Sequence, residues 1–147
     1  MKIATTISGF STLQSGKFLK DLWGRLSHLH HRENANDKFS ENVNLVIVDL
    51  TAYPGMSLDT LVEGNLAQLP NLITDYKLIA REHRMVAGME AKVLIYTGRQ
   101  GIFQLKFLQV YSIAGGRNYI ITFTAEEALY KKYEPAVREI INSFGIK

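Results

Sequence analysis

Three apolar runs joined by two glycine-bearing turns occupy Glu90–Thr124, EAKVLIYTGRQGIFQLKFLQVYSIAGGRNYIITFT, and this stretch limits the possible folds more than any other. From Lys92 to Thr97, Lys92, Leu94 and Tyr96 alternate with Val93, Ile95 and Thr97, the period of two that belongs to a strand. Gly98-Arg-Gln-Gly101 reads as a turn, and Ile102–Ser112 as the longest strand. That strand has a core face of Phe103, Leu105, Phe107 and Tyr111 and a mixed face of Ile102, Gln104, Lys106, Leu108 and Val110. A mixed face is expected where a helix covers only part of a sheet or where a partner docks, which makes Gln104, Lys106 and Leu108 a candidate partner surface. Asn118–Thr124 returns as an aromatic and β-branched strand after Ala114-Gly-Gly-Arg117. That glycine pair joins strand to strand, so it reads as a hairpin turn; a phosphate loop would lead into a helix N-terminus.

The flanking segments supply the helices. Val43–Leu50 is apolar on both faces and predicts a strand inside a covered sheet; Pro54 and Gly55 break it. Ser57 is a plausible N-cap for a helix to Leu69 with the stripe Leu58, Leu61, Val62, Leu66 and Leu69, which Pro70 is expected to stop. Thr74–His83 reads as an outer strand, followed by a turn over Met85–Ala91. Thr124-Ala-Glu-Glu127 has capping-box spacing, predicting a helix from there to about Ser143. Pro135 either breaks or kinks it, and Gly145 ends it.

Residues 1–36 form an atypical N-terminal segment, set apart here from a domain over 37–147. Phe18, Leu19, Leu22, Trp23, Leu26 and Leu29 recur at spacings of three and four, predicting an amphipathic helix over Lys17–Leu29. A basic helix of this kind can associate peripherally with a membrane or enter a partner's groove; packing on the domain's own sheet is the plainer alternative. His28, His30 and His31 follow in a polar stretch, with Glu33 and Asp37 nearby. These imidazoles could hold a divalent metal (calcium, manganese or zinc), although no second ligand pair or helical HExxH motif accompanies them. The competing reading is a solvated polar loop.

Several function classes are disfavoured. The chain has no cysteine, hence no thiolate nucleophile and no cysteine zinc site. Its net charge of +3 is local, since residues 1–32 hold five basic side chains against Asp21 while the remainder has 12 basic and 13 acidic ones. No basic stripe marks a nucleic-acid partner. No apolar run reaches the roughly 18 residues of a membrane span, and the N-terminus lacks a signal-peptide core. There is no GxSxG elbow, and Asp49, the one acid inside an apolar strand pattern, reads as a strand-end residue bonding to a turn. No enzyme is expected.

Together, FSENVNLVIVD at Phe39–Asp49, the SLDTLVEGNLAQL helix, GMEAKVLIYTG at Gly88–Gly98, LKFLQVYSI, GGRNYIITFTA and YEPAVREIINSF resemble the PsbP-like family, with the Mog1/PsbP fold. The likeness spans about residues 37–144 and is nearer to small bacterial stand-alone members of the DcrB type than to the photosystem subunit. It implies an α+β fold, an antiparallel sheet flanked by helices as an α-β-α sandwich. It also implies a non-enzymatic accessory or docking protein with a protein partner. Photosystem II members of the family are extrinsic subunits of the oxygen-evolving complex, and a DcrB-like envelope protein is the alternative role. The periplasm or thylakoid lumen is the implied compartment. The start departs from the family pattern, because Gly9-Phe10 and Trp23 are far apart with no proline between them. A missing first strand would leave a sheet edge for that segment or a second copy of the chain to cover, so a homodimer is a further expectation.

Overall fold

The computed structural model describes residues 2–7, 41–86 and 88–143. Six strands form one sheet: β1 (Lys2–Ile7), β2 (Asn42–Asp49), β3 (Thr74–Val86), β4 (Met89–Gln100), β5 (Phe103–Ala114) and β6 (Arg117–Glu126). Helix α1 (Leu58–Leu72) lies between β2 and β3, and α2 (Tyr130–Ser143) follows β6. The strand order is β1-β2-β6-β5-β4-β3. β2 to β6 are antiparallel to their neighbours, while β1 joins the β2 edge in parallel, Ile3 beside Val43 and Ile7 beside Ile47. Residues 2–7 are therefore a strand of the same sheet as 42–126, so the condition of a missing first strand is not met. The Lys17–Leu29 stretch and the Gly145 stop lie outside the described residues.

The meander forms where its alternation places it, β4-β5-β6 in unbroken register, Tyr96 opposite Phe107 and Tyr111 opposite Ile120. Gly115 and Gly116 have φ of 57° and 73°, so the two-residue link between the paired Ala114 and Arg117 has the doubly left-handed backbone of a type I′ turn. Gly98 departs from expectation. It stays in β4 opposite Leu105, and the bend falls at Gly101-Ile102 because pairing runs on to Gln100 and Phe103. β3 likewise continues to Val86, so the expected Met85–Ala91 turn shrinks to the residues between Val86 and Met89.

Two cores result, one on each face. Under α2, Val43, Leu45 and Ile47 of β2 meet Val93, Ile95, Leu108, Val110, Ile121 and Phe123, closed by Tyr130, Tyr133, Val137, Ile140 and Ile141. Under α1, Val62 and Leu69 pack on Leu94, Tyr96 and Tyr111, with Tyr76 and Phe107 at the margin. Tyr96 stacks on Phe107 with ring centroids 4.7 Å apart and meets Tyr76 at 5.6 Å.

Both helices differ from their predicted limits. Ser57 caps α1, its side chain accepting the Thr60 N–H at 3.1 Å. The helix passes through Pro70 to Leu72, and the Ile73 N–H donates to the Leu69 carbonyl at 2.9 Å. Proline withdraws only its own donor in this final turn, and burial of Leu69 and packing of Ile73 on the core outweigh its local preference. No capping box forms at Thr124. That residue is inside β6, flanked by Asn42 and Phe107, and a strand paired on both sides satisfies its backbone better than a local cap. The chain turns at 127–129 instead, where the Glu127 N–H donates to the Gln104 carbonyl at 2.9 Å. α2 then runs unbroken through Pro135.

Candidate docking edge

β3 ends the sheet on the side away from β1, and among the described residues no strand pairs with its outer side. Its inner side is paired with β4 from Thr74 to Val86, interrupted by register shifts at Thr74–Lys77 and Leu78–Ala80. Asp75, at the first shift, has a left-handed backbone (φ 56°), and its carboxylate accepts the Arg99 Nε–H at 2.9 Å. Shifts of this kind bend an edge and limit how long a flat stretch it offers.

Arg81, Glu82 and Arg84 of β3 reach its flanking helices, while Asp75 and His83 pair with β4. On the α1 side Arg81 pairs with Glu63, and Lys92 of the neighbouring strand reaches Asp59 at 3.0 Å. His83 Nε2 and Glu90 Oε1 lie 2.9 Å apart on that same side. On the α2 side Glu82 is 3.5 Å from Arg138, which also faces Glu134, and Arg84 donates to Asn142 at 3.2 Å. The edge exposes Thr74, Asp75, Lys77, Arg81 and His83, and with them the apolar Leu78, Ile79 and Met85. Ile79, at the second shift, is 47% exposed, Met85 63% and Leu78 36%. Leu72 and Ile102 are exposed at the end of the sheet where β3 begins.

The positions singled out from the sequence fare differently. Leu108 is 1% exposed and belongs to the core beneath α2, which corrects its place on a partner surface. Lys106 is half-buried, its ammonium 4.4 Å from the Tyr130 ring centroid, in cation–π geometry. Gln104 alone of the three has an exposed side chain. The mixed face is thus the floor for α2 and the turn before it. His28, His30 and His31 lie outside the described residues; among those described, no cluster of three His, Asp or Glu could hold a metal. Asp49 accepts the Thr51 N–H at 2.8 Å, and that bond holds its carboxyl below the usual range, as a strand-end turn residue should. No helix among the described residues is long and apolar enough to cross a membrane. The outer-strand reading of Thr74–His83 agrees with the place of β3 at the end of the sheet, although the strand runs on to Val86.

This architecture, an antiparallel sheet with a helix on each face and a parallel strand added at one margin, is an α+β fold of the Mog1/PsbP-like class. No family model matches the chain, and no curated protein matches it. Among solved structures it is similar to the protein of unknown function PA94 from Pseudomonas aeruginosa, with TM-score 0.62 and 17% identity over 82% of this chain and 93% of that one. It is also similar to cyanobacterial PsbP (CyanoP) from Synechocystis sp. PCC 6803, with TM-score 0.59 and 17% identity over 73% of this chain and 68% of that one. At such identity the likeness is one of fold.

Proposed function

We propose that this chain is a non-enzymatic docking module of the PsbP-like kind, which takes an extended segment of a partner protein along β3. The observation that carries the reading is the 13-residue strand at the end of the sheet, whose outer side pairs with no strand among the described residues and which exposes Ile79, Leu78 and Met85. Main-chain hydrogen bonds from such an edge supply affinity, and alternate apolar side chains supply selectivity. The resemblance to a cyanobacterial PsbP supports the accessory-protein part of the reading. Photosystem II components would be one set of partners and envelope proteins another.

The test is quantitative co-purification from the native source with the wild-type chain and an Ile79→Pro variant, after circular dichroism has shown that the variant folds. Proline at an edge blocks strand addition with little effect on the inner ladder at a shifted register. A partner retained by the wild type and lost by at least tenfold in the variant is expected. Equal recovery on both baits would exclude the edge. A second copy of the chain as the retained species would make β3 a homodimer interface.

A further inference from the structure

We infer that β3 is self-complementary over Ala80–Val86 and that, with no other segment bound, it pairs there with the β3 of a second copy of the chain, antiparallel and centred on His83. The inference rests on the reading of β3 as an open docking edge and names an occupant for it. The extent of the contact follows from the ladder on the inner side. Register shifts fall at Thr74–Lys77 and Leu78–Ala80, whereas Ala80–Val86 pairs residue by residue with Ile95–Met89. A second strand adds without interruption only to a regular stretch, so the contact is confined to these residues, whose midpoint is His83. An edge that meets its own copy antiparallel does so about a twofold axis perpendicular to the sheet, and directly opposed side chains then lie on the same face.

About an axis at His83, Glu82 comes opposite Arg84 of the second copy, and Arg84 opposite Glu82 of the second copy. Both side chains lie on the α2 side, steadied by Arg138 at 3.5 Å and Asn142 at 3.2 Å, yet remain 36% and 32% exposed. Within one chain they already approach to 3.9 Å, so two copies close a ring of alternating charge. On the α1 side the exposed Met85 comes against the aliphatic stem of Arg81 of the second copy, whose guanidinium is held by Glu63. At the axis, Glu90 Oε1 of β4 lies 2.9 Å from the His83 Nε2 and draws the ring toward its own sheet. Same-face pairing permits only centres at a residue, and the neighbouring ones fail. Centred on Glu82, the pairing sets Glu82 against Glu82 and Arg81 against His83; centred on Arg84, it sets Arg84 against Arg84. Like charges directly opposed destabilise a strand pair. A second copy also brings its strand already ordered by β4, so little conformational freedom is lost on association.

The test is sedimentation velocity on the whole chain, with circular dichroism to show that each variant folds. The wild type should show a monomer–dimer equilibrium. Glu82→Arg places arginines alone at the facing α2-side positions and Arg84→Glu places glutamates alone there, so each variant by itself should lose at least about tenfold in dimer affinity. An equimolar mixture of the two should dimerise, because the arginines of one variant then face the glutamates of the other. The chain has no cysteine, so the register can be read independently of the charge variants. His83→Cys should give a disulfide-linked dimer under mild oxidation, and Lys77→Cys, far from the axis, should not. A wild-type chain that is monomeric from micromolar to millimolar concentration overturns the self-pairing. So does a dimer that both charge variants keep, or one that Lys77→Cys captures and His83→Cys does not. The docking reading stands or falls separately. A monomeric chain whose native partner is still lost with Ile79→Pro overturns the self-pairing alone, whereas a charge-dependent dimer with equal partner recovery on both baits upholds it and overturns the docking of another protein.

Discussion

A Cβ on Gly98 would come 2.1 Å from Ile73 Cγ2 and 3.2 Å from the Thr74 carbonyl oxygen. Gly98 lies within β4 opposite Leu105, where a glycine has no turn to make. The position is glycine because the end of α1 closes directly onto the strand. Gly98→Ala is expected to destabilise the fold by about 1–3 kcal/mol, the usual cost of overpacking. Ile73→Ala should cost stability alone yet reduce the penalty of Gly98→Ala, since it removes the colliding methyl. A double-mutant cycle from urea unfolding reads the coupling, and strict additivity of the two changes would refute the contact.

Leu108→Ala and Gln104→Ala separate the two readings of the mixed β5 face. Leu108 is in the α2 core, so its truncation should cost about 2–5 kcal/mol, whereas Gln104→Ala should stay within about 0.5 kcal/mol. Similar small effects from both would mean that α2 does not seal this face in solution.

Ser57→Ala should lower stability by about 1 kcal/mol through loss of the bond accepted from the Thr60 N–H. Ser57→Asp keeps an acceptor at the N-terminus and should restore most of it. Chemical denaturation midpoints of the three chains check the order.

Stability should fall at alkaline pH. Burial pushes the phenols of Tyr96, Tyr111 and Tyr130 well above the ordinary value of 10.0, and Glu134 beside Tyr130 adds to its shift. The folded state then keeps protons that the unfolded chain releases, so the contribution is intact below about pH 10 and is lost as the pH rises beyond it. Urea midpoints measured from about pH 8 to about pH 11 should be flat and then decline. Tyr111→Phe, which also removes the bond from its hydroxyl to Gln109, should make the decline shallower. A midpoint that stays level across the range would contradict the burial of these rings.

The sequence by itself determined the local periods and most of the stops. Alternation in Lys92–Thr97 and Asn118–Thr124 imposes strands whatever surrounds them, Gly115-Gly116 admits the doubly left-handed turn, and Ser57 offers an oxygen to the first turn of α1. The motif resemblance carried the fold class for the same reason, being made of such punctuation.

Where local preference met long-range pairing or packing, the tertiary structure decided. Thr124 had the spacing of a cap and became a central strand residue, because β2 and β5 both offer it backbone partners. Pro70 failed to stop α1 because packing at Leu69 and Ile73 outweighs one lost donor. Leu108 shares a face with Lys106 and Gln104, and only the position of α2 says which part of that face is sealed. That Thr74–His83 is an outer strand was legible, but its extension to Val86 and its neighbour in the sheet were not. β3 ends the sheet because five other strands order themselves on its inner side, and that order is a property of the whole sheet that no single stretch encodes.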